Sequence, residues 1–175
     1  MVLLTHEHGD HLNLTAVKQL HKIRPTLIFC CGEFLVDKLT TAGVNANSIH
    51  IVSVNQIFTY ENLVKFQPVE LYHDVKNIGY KIHLPSGEKV LYATDTNKID
   101  HITAKNYDLY LLEANYDEES LRRNAAEKIR EGDYIYEQRV RDTHLSQKQA
   151  DEFLVENMGD RSAFVYMHVS ERNGG

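Results

Sequence analysis

Apolar residues recur along the chain in two rhythms, and their alternation predicts helices interleaved with strands. Val2, Leu3 and Leu4 precede a polar Thr5, which reads as a strand over residues 1–5. Leu12, Leu14, Val17 and Leu20 then follow at helical spacing and stop before Pro25. Residues 26–31 form an unbroken apolar run between Pro25 and Gly32, the pattern of a buried strand. Helical spacing returns over residues 33–41 through Phe34, Leu35 and Leu39, and Gly43 closes it. Short strand-like runs come next, at 49–54, 57–60, 63–66 and 69–72. The runs at 78–84 and 89–93 flank the turn signal Pro85-Ser86-Gly87. A further strand spans 107–112 and ends at Glu113, a densely charged stretch at 117–142 predicts exposed helix, residues 146–157 are helical, and 163–167 make a last buried strand.

This order of elements indicates an α/β architecture. With 175 residues, 42% of them hydrophobic, the chain fits one domain over 1–175, with 171–175 expected as a flexible tail. The formal net charge of −6 argues against a broadly basic nucleic-acid binder, although a local cationic groove or bound metal could still hold phosphates. Cys30 and Cys31 are adjacent and have no partners elsewhere, which predicts reduced strand residues. No apolar run has the length of a membrane span and no charged leader opens the chain, so the expected location is the cytoplasm, away from membranes.

Chemistry concentrates in Thr5-His6-Glu7-His8-Gly9-Asp10-His11, where three imidazoles and the Asp10 carboxylate fall within six residues. Neutral imidazole and carboxylate suit zinc or a similar divalent ion. If the strand continues, His6 and His8 share a side, and a turn at Gly9 swings Asp10 and His11 towards them. A closed tetrahedral site rarely takes four ligands from six consecutive residues, so two ions fit better than one, and further ligands are needed. Three residues at the ends of apolar runs supply them: His73, Asp95 and His168. Each alone reads as a hydrogen-bonded loop residue; beside the cluster each reads as a ligand. His21, His50, His83 and His101 match no such position and are expected to be surface or satisfied core residues.

The context Leu3-Leu4-Thr5-His6-Glu7-His8-Gly9-Asp10-His11, continued by Tyr72-His73-Asp74, Ala93-Thr94-Asp95-Thr96 and Met167-His168-Val169-Ser170, resembles the metallo-β-lactamase-fold hydrolases and their HxHxDH motif. The resemblance implies a four-layer αβ/βα sandwich. It also implies one ion on His6, His8 and His73, a second on Asp10, His11 and His168, and Asp95 bridging them. Within that superfamily, Leu112-Glu113-Ala114 and Thr143-His144-Leu145-Ser146 resemble nucleases of the RNase Z type, in which such a pair serves proton transfer; the His-Leu-Ser form resembles the small YycJ-type exonucleases. The implied activity is phosphodiester hydrolysis on DNA, RNA or a small diester. Two divalent ions, zinc with manganese or iron as alternatives, would share an activated water; Glu113 and His144 would move the leaving-group proton, and Asp10 could hold a proton of the water. Two other functions use the same cluster: lactone or thioester hydrolysis, which does not need the Glu113 and His144 pair, and metal-binding assembly without catalysis.

Members of the superfamily usually carry several strands before this motif, and here the motif sits at the start. The sheet is therefore expected to be N-terminally incomplete, through a late start, through a natural short form completed by a second copy or a partner, or through loss of turnover. Six basic residues lie between 117 and 142, Arg139 among them, and the eight acids of the same stretch favour a solvated helical face over a phosphate-binding one.

Overall fold

Side-chain parity sorts the strands into two sheets and the core into separate layers. The computed structural model describes residues 1–61, 63–133 and 136–170, so the expected tail at 171–175 lies outside the described residues. A parallel sheet holds β1 (Val2–Leu3), β2 (Phe29–Cys31) and β3 (Ile49–Ile51) in that order, with α1 (Leu14–Ile23) and α2 (Val36–Thr41) in the crossovers. Phe29 and Cys31 face the helices and pack with Leu4, Leu12, Val17, Leu35 and Leu39. Cys30 points the opposite way, to Phe66, Ile78 and Tyr80 of the second sheet. The adjacent cysteines thus serve different layers, both free, and burial pushes both thiols up to about 11. At that value neither is a nucleophile near neutral pH.

The second sheet runs β4 (Phe58–Tyr60), β5 (Val64–Tyr72), β6 (Lys76–His83), β7 (Lys89–Ala93), β8 (Leu109–Glu113) and β9 (Ala163–Met167), antiparallel as far as β7 and parallel beyond it. Its outer face carries Val69, Leu71, Leu91, Ala93, Tyr110 and Leu112 against Ala150, Phe153 and Leu154 of α5 (Gln147–Asn157). Helix, sheet, sheet and helix make the four-layer αβ/βα sandwich. Three strands face six, so the inner positions Val90, Tyr92 and Leu111 are only half-buried and Val165 is exposed. Among the described residues no helix is long and apolar enough to cross a membrane.

Three elements differ from the pattern in the sequence, and the first is β9, expected as a buried strand, which is the edge strand of its sheet with residues 163–165 exposed. The runs at 63–66 and 69–72 are one strand, β5, continuing through Pro68. Strand β4 pairs only with residues 64–66, and the Pro68 carbonyl, on the side away from β6, accepts from Asn55 N at 2.9 Å. A residue's N–H and C=O point the same way in an antiparallel strand, so the missing N–H costs no ladder bond. The charged stretch, read as exposed helix, is divided into α3 (Glu118–Glu131) and α4 (Glu137–Thr143); its residues 134 and 135 lie outside the described residues. Gly132 ends α3 in the left-handed conformation, φ 74°, which glycine adopts without steric cost. Helix α4 then turns Val140 and Thr143 inward rather than to solvent.

Strand β6 grips the N-terminal segment. Buried Tyr80 donates its hydroxyl to the Leu4 carbonyl at 2.5 Å, and Ile78 N donates to the Thr5 carbonyl at 3.4 Å. Tyr80→Phe keeps the ring and strands a buried acceptor, so it is expected to lower unfolding free energy by about 1–3 kcal/mol in denaturant titrations.

Candidate metal centre

Beyond β1 the chain runs on to His8 and then reverses, because His11 N and Leu12 N both donate to the His8 carbonyl, at 3.0 and 2.7 Å. Asn13 completes the turn by accepting from Ala16 N and capping α1. The reversal brings the His11 ring to 4.3 Å from the His6 ring, centroid to centroid, with the His8 ring 4.9 Å from His6 on another side. Three strand ends close the site. His73 follows β5, Asp95 lies two residues past β7, and His168 follows β9. Asp95 and His168 adopt left-handed backbone, φ 58° and 54°, so each strand turns sharply as it delivers its side chain.

All seven residues expected as ligands converge. Donor atoms lie within 4.8 Å of one another in the sets His6, His8, His73; Asp10, His11, His168; and His6, His11, Asp95. Asp95 spans them, with Oδ2 2.9 Å from His11 Nε2, and Oδ1 3.8 Å from His73 Nε2 and 3.4 Å from His168 Nδ1. Asp10 is the exposed member, its Oδ2 3.7 Å from His11 Nε2 and 3.9 Å from His168 Nε2.

The residues fit a divalent cation. His6 Nε2 and Asp95 Oδ2 are buried without a hydrogen-bond partner; Asp95 Oδ2 is near His11 Nε2 but misaligned for a bond to it. Buried polar atoms left unpaired are costly, and a cation between them removes that cost. Non-ligand groups hold the opposite edges of several rings. His73 Nδ1 donates to the Thr143 carbonyl at 2.8 Å, so in the neutral ring Nε2 keeps its lone pair for the cluster. Thr5 Oγ1 is 3.1 Å from His6 Nδ1, and Glu113 Oε1 is 3.2 Å from His168 Nδ1. Burial, with the neighbouring His11, lowers the His6 pKa to about 4, which favours the neutral, ligating form. Burial opposes the charge on Asp95, but the surrounding imidazoles outweigh it and hold its carboxyl below the usual carboxylate range.

Glu113 and His144 are brought together beside the cluster. Glu113 is fully buried, and its Oε1 accepts from His144 Nδ1 at 2.6 Å. Its other oxygen accepts from Thr96 N at 2.8 Å and Leu145 N at 3.3 Å. Asp95, Glu113, His144 and His168 also fall within ligating distance of one another. Both Glu113 oxygens are already engaged, however, so the carboxylate acts as a post for His144 and His168 rather than as an open donor.

Sequence reasoning left several residues of the site unassigned. Asp74, next to His73, places Oδ1 3.2 Å from His73 Nε2 and 3.3 Å from His8 Nε2. Arg139 pairs with Asp74, and Asn115 donates to the His168 carbonyl at 2.8 Å. Adjacency to His73 was a signal for Asp74; Arg139 had none. The cleft over the cluster has a volume of about 280 Å³ and is lined by His8, Asp10, Asp95, Arg139, His144 and His168 among others. The remaining histidines lie elsewhere: His21 accepts from Asn45 N, His83 meets the Tyr107 hydroxyl and His101 the Glu70 carbonyl. His50 sits on β3, its ring against Phe58.

Residues 1–169 match the family described as the beta-lactamase superfamily domain. Exodeoxyribonuclease WalJ of Streptococcus pneumoniae, in two strains, is 24% identical over 98% of this chain and 64% of its own length. The chain thus spans just under two thirds of the curated relatives it matches. Among solved structures, the metallo-beta-lactamase fold protein YhfI from Bacillus subtilis superposes with a TM-score of 0.69 at 14% identity, over 97% of this chain and 65% of that one. The short form of human tRNase Z gives 0.63 at 15% identity, over 97% and 72%.

Proposed function

The chain belongs to the beta-lactamase superfamily domain family, and on that premise we propose that it is a metal-dependent hydrolase that cleaves phosphodiesters, acting as a nuclease. The observation that carries this reading is the 2.6 Å contact between buried Glu113 and His144 at the rim of a His- and Asp-lined cleft. Hydrolysis of a lactone or thioester does not need that pair, whereas a departing nucleoside alkoxide needs a proton. The similarity to a protein named as an exodeoxyribonuclease supports the same reading.

Two divalent ions, zinc on the chemistry of the donors, would be held by His6, His8 and His73 and by Asp10, His11 and His168, with Asp95 between the sets. When bound they supply Lewis acidity, which lowers the pKa of a water and neutralises charge on phosphoryl oxygens. The remaining work belongs to side chains. His144 donates from Nε2 to the leaving oxygen, while Glu113 fixes Nδ1 and cannot swing, since two backbone N–H groups hold it. Asp10, exposed at the cleft, accepts a proton from the attacking water.

The test is cleavage of bis-p-nitrophenyl phosphate and of DNA and RNA oligonucleotides by protein carrying two ions. Turnover is expected to vanish with a chelator and to return with zinc or manganese. Absence of cleavage of all three substrates by the doubly loaded protein overturns the reading.

A further inference from the structure

Helix α4 sets Arg139 at the mouth of the cleft, a position that its charged surroundings in the sequence did not reveal. Arg139 Nη2 donates to Asp74 Oδ2 at 2.5 Å, and the other oxygen of Asp74 lies 3.2 Å from His73 Nε2. The guanidinium is thus one carboxylate's width from the donor atoms of the candidate metal centre. The same helix ends at Thr143, whose carbonyl takes the His73 Nδ1 proton and whose hydroxyl bonds the Arg139 carbonyl. Arg139 and His73 are therefore both anchored on α4.

Charge around the cleft is unbalanced. Asp10, Asp74 and Asp95 line it, and among the described residues Arg139 is the one lysine or arginine that does. Its side chain is 69% exposed, so a substrate entering the cleft reaches it. Asp74 engages Nη2, and the rest of the fork makes no bond among the described residues. A guanidinium matches two oxygens of a phosphate at once, which an ammonium does not.

We propose that Arg139 binds the phosphoryl group of the substrate, so that the cleft selects anionic phosphate esters over neutral esters. The choice of substrate class rests on the phosphodiesterase reading above. The ion pair with Asp74 fixes where the guanidinium waits, and a phosphate oxygen replaces or joins that carboxylate on binding.

Calorimetric titration of the zinc-loaded protein with inorganic phosphate tests this, using wild type, Arg139→Ala and Arg139→Lys at measured zinc content. Arg139→Ala is expected to weaken phosphate binding about 10- to 100-fold, with Arg139→Lys in between and zinc content unchanged in both. With bis-p-nitrophenyl phosphate, Arg139→Ala should raise KM by a similar factor and change kcat less. Wild-type phosphate affinity in Arg139→Ala overturns the inference, and so does a loss of phosphate binding that tracks a loss of zinc in both variants. Diester cleavage with unaltered KM in Arg139→Ala sinks the role of Arg139 and leaves the phosphodiesterase intact. Arginine-dependent phosphate binding in a protein that cleaves no diester does the reverse.

Discussion

Asp95→Ala is expected to reduce bound metal from two ions to one or none and to remove turnover with it. Asp95 is 2% exposed and, among the described residues, is the one buried carboxylate that approaches His11, His73 and His168 together. Removing it takes away the negative charge shared by both ligand sets and leaves imidazoles facing one another. Outer-shell losses at metal sites cost about 10- to 100-fold in affinity, and loss of a carboxylate that would serve both ligand sets should exceed that. Alanine also meets a backbone cost of about 1–2 kcal/mol at φ 58°. Asp95→Asn keeps the shape and loses only charge, so it should retain more metal than alanine. Metal analysis by atomic emission after gel filtration reads both; two ions on Asp95→Ala would show that Asp95 is not shared.

His144→Ala separates proton transfer from metal binding. It should leave two ions in place, because the Glu113 post still holds His168, and lower kcat on oligonucleotides by about 10²- to 10⁴-fold. The loss should be much smaller with bis-p-nitrophenyl phosphate, since p-nitrophenolate departs without a proton. Glu113→Gln is predicted to slow oligonucleotide cleavage similarly and, unlike His144→Ala, to disturb the second ligand set, because Glu113 lies 3.2 Å from His168 Nδ1. Equal rates for wild type and His144→Ala on an oligonucleotide would remove His144 from the mechanism.

The convergence of the candidate ligands was partly legible because His73, Asp95 and His168 sit where apolar runs stop. His73, Asp95 and His168 follow short apolar runs that predict strands, and parallel pairing brings the ends of β7, β8 and β9 to one edge. Glu113 lies at the end of β8 for the same reason. Arg139 was illegible for a physical reason: composition fixed α3 and α4 as helical and charged, but which face of α4 meets the cleft depends on the break at Gly132 and on distant partners, Asp74 and His73. The link from Glu113 to His168 spans two strands and has no local signature. The runs at 63–66 and 69–72 read as two strands because the missing neighbour that tolerates Pro68 between them is a property of sheet order.

The left-handed turns at Asp95 and His168 also govern how these positions can drift. If Asp95 and His168 hold metal as proposed, every functional variant passes two filters there, one for a metal-donating side chain and one for a backbone that most residues avoid. Glutamate and cysteine satisfy the first but adopt the second less readily than aspartate, asparagine and histidine, which are enriched in left-handed backbone. Exchange at 95 and 168 is therefore biased towards that trio, a narrower alphabet than at His6 or His8, which are not left-handed.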